Sequence, residues 1–87
     1  MIYYFYNVDI KQQHFINRIT IKPGLMGGRP TIRGLRFTVG DLLELLADGL
    51  NEKEILEQHP LLEKEDISAA LYYASIKMKN TVVIHAA

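Results

Sequence analysis

The stretch Gly27-Gly28-Arg29-Pro30-Thr31-Ile32-Arg33-Gly34-Leu35-Arg36-Phe37-Thr38-Val39 joins two kinds of pattern. Before it, apolar and polar residues alternate; after it, apolar residues recur at helical spacing. Within it, glycine allows positive φ and proline pins φ, so the backbone should turn tightly around Gly27, Gly28, Pro30 and Gly34. Arg29, Arg33 and Arg36 are then held out from a fixed ribbon. No acidic residue lies between Ile10 and Gly40. A preorganised basic ribbon of this kind suits an anionic surface.

Upstream, Arg18-Ile19-Thr20-Ile21-Lys22 alternates and reads as a half-buried strand ended by Pro23-Gly24. Thr31-Ile32 and Leu35-Arg36-Phe37 can pair as a hairpin around Arg33-Gly34. That pairing sets Ile32 opposite Leu35 toward the core, with Thr31 and Arg36 on the other face. Farther upstream, the aromatic and β-branched residues of Ile2–Val8 predict another strand. Its two faces, Ile2, Tyr4 and Tyr6 against Tyr3 and Phe5, are both apolar. Cover on both sides calls for a second copy, so a homodimer through Ile2, Tyr4 and Tyr6 is expected.

Downstream, the spacing predicts three helices. Val39, Leu42, Leu43 and Leu46 form the apolar stripe of the first, Thr38 and Asp41 make its capping box, and Gly49 stops it. Asn51 and Glu54 open the second, with Leu50 and Ile55 as a hydrophobic staple, and Pro60 ends it. The third runs from about Lys64 to Lys79 with the stripe Ile67, Ala70, Leu71, Ala74 and Met78. Glu63 is a weak cap for it. Asn80 can stop it, leaving Val82-Val83-Ile84 as an extended tail.

The expected fold is therefore α+β and mainly α, an N-terminal β-arm and hairpin followed by a three-helix, helix-turn-helix core. One compact domain holds three stretches: the arm and ribbon (1–37), the core (38–80) and the tail (81–87). With 48% apolar residues among 87 the chain can fill a core. It has no cysteine, which excludes a disulfide framework or thiolate metal site and fits the cytoplasm. Its aromatic start lacks the features of a signal peptide, and no segment approaches membrane-spanning length.

The net charge of zero conceals a division. Residues 1–37 carry six cations against Asp9 alone, and residues 38–87 carry four lysines against nine carboxylates. Either the positive half meets an acidic partner or nucleic acid, or the two halves neutralise each other.

The run from Arg18 through Pro23-Gly24, Gly27-Gly28-Arg29-Pro30, Ile32-Arg33-Gly34 and Arg36, then Leu42–Gly49, Glu54–Glu57, Pro60-Leu61-Leu62, Glu65-Asp66-Ile67 and Ala69–Ala74 resembles the bacterial family catalogued as domain of unknown function 433. The resemblance extends over about residues 18–83, and Gly-Arg-Pro … Ile-Arg-Gly … Arg is its most specific part. It implies a homeodomain-like helical fold and the role of a type II antitoxin, VapB-like, whose partner is a small PIN-like nuclease toxin. Two departures stand out: Glu63 replaces the usual Thr cap, and the aromatic N-terminal extension is long.

Operator DNA is a second possible partner. A recognition helix offers its N-terminal residues to base edges. Here that end carries Glu63, Glu65 and Asp66 against Lys64, which phosphates would repel. The arginine ribbon is the better reader, with toxin or nucleic acid meeting Arg29, Arg33 and Arg36. The ordinary alternative is that one of them, Arg29 before all, ties down carbonyls or pairs with a helix carboxylate. Extended Val82, Val83 and Ile84 can add to a strand edge on a toxin.

Catalysis is not expected. His14, His59 and His85 are scattered outside any metal-binding pattern, and Gly27-Gly28 lacks the lysine and hydroxyl of a phosphate loop. Glu65 and Asp66 point about 100° apart on a helix. No metal and no cofactor are called for. The alternatives to an antitoxin are a DNA-binding regulator without a toxin and a protein-interaction adaptor.

Overall fold

The computed structural model describes residues 15–80. The expected Ile2–Val8 strand and Val82–Ile84 tail lie outside them. Strand β1 (Ile19–Thr20) pairs antiparallel with β2 (Thr31–Ile32), Ile19 opposite Ile32 and Thr20 opposite Thr31. Helices α1 (Val39–Ala47), α2 (Glu52–Gln58) and α3 (Lys64–Asn80) follow. The fold is α+β and mainly helical, with α3 packed against α1, α2 and β1. No helix among the described residues is long and apolar enough to cross a membrane.

The start and stop chemistry of the first two helices forms as its residues dictate. Thr38 Oγ1 accepts from Asp41 N at 2.9 Å while Thr38 N donates to Asp41 Oδ2 at 3.2 Å. Asn51 and Glu54 repeat the arrangement at 2.8 Å in both directions. Each box satisfies two N–H groups that a helix start leaves unpaired. At the end of α1, Gly49 N donates to Leu46 O and Leu50 N to Leu45 O. This is a Schellman turn, and Gly49 adopts the positive φ of 95° that it requires.

The core joins Ile32, Val39, Leu42, Ile55, Leu62, Ile67 and Ala70, with Leu43, Leu46 and Leu50 packed partly against it. The stripe of α1 and the staple of α2 thus face inward as their spacing requires. The third helix buries Ile67 and Ala70 of its expected stripe but is turned away from the rest of it. Leu71 and Met78 are 50% and 73% exposed, whereas Asp66, Ala69 and Ala70 have no exposed surface. Its inner face runs through Asp66, Ala69, Ala70 and half-buried Tyr73, a spacing of three, four and seven residues.

The hairpin also differs from the expected one. Arg33 and Gly34 do form the tight turn, with φ of 48° and 74° and Leu35 N donating to Ile32 O at 2.8 Å. Pairing then resumes two residues later than expected. Ile32 N donates to Phe37 O at 2.9 Å and Thr31 bridges Thr38, so Ile32 faces Phe37 and not Leu35. Thr31 is fully buried between β1 and this return segment, its hydroxyl donating to Thr20 O at 3.0 Å. The hydroxyl finds a carbonyl there, which removes the need for the solvent-facing position expected of it.

Candidate functional site

The arginine ribbon is divided between structure and surface, and the division does not follow the sequence expectation. Arg33, and not Arg29, is the internal one. Its Nε donates to Asp66 Oδ1 and Oδ2 at 3.0 and 3.2 Å, and its Nη2 to Asp66 Oδ2 at 2.9 Å and to Leu61 O at 2.6 Å. Arg18 joins it, Nη1 donating to Asp66 Oδ1 at 2.9 Å and to Glu63 Oε1 at 2.8 Å. Glu63 N completes the set, donating to Asp66 Oδ2 at 2.8 Å. Asp66 is therefore the residue at the third helical position that reaches back to the cap amide, half of a capping box. The weak cap expected at Glu63 is relieved from inside the helix.

The electrostatics follow. Burial pushes the Asp66 carboxyl up, but hydrogen bonds from Arg33, the Glu63 amide and Arg18 outweigh it and hold the group below the ordinary carboxylate value. Arg33 is raised by its hydrogen bond to Asp66, and Arg18 by its hydrogen bond to Glu63, each against the opposing effect of burial. Both guanidiniums keep part of their surface wet, 18% for Arg18 and 31% for Arg33, which limits the desolvation cost. The cluster joins β1, the Arg33-Gly34 turn and the α2–α3 connection.

Arg29 and Arg36 remain exposed, and neither guanidinium makes a hydrogen bond or ion pair among the described residues. Their platform is fixed. Gly27 and Gly28 take φ of 68° and 80° in a single turn over Met26–Gly28. Pro30 O accepts from Val39 N at 2.9 Å, tying the ribbon to the start of α1. Each exposed arginine borders a depression. Arg29 lies on a groove of about 720 Å³ between α1 and α3, lined in part by Val39, Leu43, Tyr73, Ala74 and, at its exposed rim, Met78. Arg36 lies on a pocket of about 430 Å³ between Leu35–Phe37 and the α2–α3 connection. No group of three histidines or carboxylates able to hold a metal occurs among the described residues.

Residues 19–74 match the family described as "Protein of unknown function (DUF433)". The chain belongs to the DUF433 family. The crystal structure of a DUF433 member protein from Anabaena variabilis ATCC 29413, at 2.00 Å, is similar over 86% of this chain and 82% of that one, with 30% identity and a TM-score of 0.68. An uncharacterized protein of Sinorhizobium fredii, y4eO, is 38% identical over 56 residues, 64% of this chain. The chain spans about a quarter of the length of that curated relative.

Sequence reasoning placed Asp66 among carboxylates turned toward a partner, and it left Arg18 out of the site. Both belong to the internal cluster. A signal was present: Asp66 stands three residues after the cap, beside Ile67, and in line with Ala69, Ala70 and Tyr73. Of the structural turn residues expected in this DUF433 chain, Gly27, Gly28, Pro30 and Gly34 all sit at turns or tie points. The residues expected at a toxin or dimer contact, Val82, Val83, Ile84, Ile2, Tyr4 and Tyr6, lie outside the described residues.

Proposed function

We propose that this chain is a VapB-like antitoxin that binds and silences a PIN-like nuclease. The observation that carries the reading is the pair of exposed arginines on an anchored ribbon, their guanidiniums without a partner among the described residues. A nuclease of this type holds divalent metal with clustered carboxylates, so an inhibitor gains from offering positive charge or blocking access. Arg29 and Arg36 can do the first with no side-chain partner among the described residues to give up. The outward face of α3, with Leu71 and Met78 exposed, supports a protein partner more than DNA, because apolar side chains gain nothing against phosphates.

Operator DNA is the second reading, and one observation favours it. Arg18 and Arg33 neutralise Asp66 and Glu63, so the start of α3 repels phosphate less than its sequence implies.

The test is co-expression with the protein encoded in the neighbouring reading frame. Wild type should restore growth and co-purify as a complex whose stoichiometry is read by light scattering. A non-toxic neighbour, or no complex, overturns the antitoxin reading. A promoter fragment retarded in a salt-dependent way would then favour the regulator.

A further inference from the structure

The two depressions differ in what they select. The larger groove between α1 and α3 carries Arg29 and Lys77 but also Asp41 and Glu44, so its charges cancel and name no partner. The smaller pocket is lined mainly by apolar Leu35, Phe37, Pro60, Leu61 and Leu62, with Gln58 and His59 beside them, and no carboxylate opposes Arg36 in its lining. At about 430 Å³ it has room for a large side chain or two.

Its walls are preformed. Arg33 Nη2 holds the Leu61 carbonyl at 2.6 Å, so a clamped backbone keeps the Leu61 side chain in water, 73% exposed. Phe37 is fixed from two sides, its carbonyl accepting from Ile32 N and its ring meeting the His59 ring edge-on at 4.9 Å. Leu62 is rooted in the core at 6% exposure. A rigid apolar pocket loses little entropy when filled, the property of an interface hot spot.

We infer that this pocket is where the partner protein docks, receiving a large apolar side chain from an acidic segment whose carboxylate pairs with Arg36. The inference rests on the antagonist reading and adds the chemistry of the contact. Charge complementarity decides the occupant: an acidic segment gains an ion pair at Arg36, and a basic one meets repulsion. Leu61 then leaves water against the partner's apolar side chain.

The experiment is amide NMR of the full chain titrated with three capped hexapeptides, DDLFDD, KKLFKK and DDGSDD. Saturable shifts at Leu35–Phe37 and Leu61-Leu62 with the first alone are expected. Arg36→Glu and Leu61→Ser should each weaken them about tenfold, with the thermal midpoint unchanged because both side chains are exposed. No saturable shift at millimolar peptide, equal shifts with KKLFKK, or shifts confined to another face overturn the inference. So do shifts at this pocket that follow protein concentration without peptide, since a second copy would then be the occupant. The neighbouring protein separates the two readings. If it binds wild type and both variants equally, the pocket assignment fails and the antitoxin reading stands. If it does not bind at all while DDLFDD fills the pocket, the antitoxin reading fails and the acidic, apolar preference stands.

Discussion

At Asp66 a carboxylate without exposed surface is held by two guanidiniums and a backbone amide, at 2.8 to 3.2 Å. Removing the charge leaves Arg18 and Arg33 with part of their donors unpaired. Asp66→Asn should therefore cost about 3 kcal/mol at neutral pH, the low end for breaking a buried pair, since both arginines can rehydrate. The sign of the pH dependence follows from the depressed value. The contribution of Asp66 is present in full above the ordinary 3.8 and is lost as pH falls below it through the folded-state value. Denaturant titrations should accordingly show wild type losing more stability than Asp66→Asn on going from about pH 5 to about pH 2. Arg33→Ala should destabilise similarly, whereas Arg29→Ala and Arg36→Ala should stay within about 0.5 kcal/mol of wild type. Equal effects for all three arginines would erase the division between structure and surface. The sequence allowed for an arginine paired with a helix carboxylate but favoured Arg29, on the strength of its neighbours Gly28 and Pro30, where the structure has Arg33. Only the tertiary position of Asp66 distinguishes them.

At the level of elements, short-range chemistry was readable and rotation about a helix axis was not. Thr38 with Asp41 and Asn51 with Glu54 specify helix starts through bonds spanning three residues, so they need no knowledge of the core. Gly49 specifies a stop for the same reason. The third helix mixes alanines with Leu71, Tyr72, Tyr73 and Met78, and several stripes compete. Apolarity alone chooses Leu71 and Met78, yet the helix turns its small residues inward, where α3 packs on α1 and β1. A charged Asp66 on that inner face is acceptable only because β1 and the turn bring arginines to it. Ile67→Ala should therefore cost about 2–4 kcal/mol and Leu71→Ala less than about 1 kcal/mol in thermal unfolding. The reverse order would restore the stripe read from apolarity. The hairpin shows the same limit: Arg33-Gly34 marks the turn, but register depends on Thr31 finding the Thr20 carbonyl and on Phe37 reaching Ile32.

For the whole molecule, the charge division between halves has two consequences. Part of it is internal, since Arg18 and Arg33 from the basic half meet Glu63 and Asp66 from the acidic half. Of the rest, Arg29 and Arg36 stay on the surface beside the two depressions. The family and the three-helix outline were legible because turn glycines, caps and the arginine spacing all lie close in sequence. The partner-facing set was only partly so, because exposure is a property of the assembled fold. On the proposed antitoxin reading, Arg29 and Arg36 carry the contact with the nuclease. Titration calorimetry of the neighbouring protein with wild type and with the Arg29→Glu/Arg36→Glu variant tests it most directly. Binding should weaken about 100-fold, with unchanged melting of the free chain. Unchanged affinity in a folded variant would contradict it.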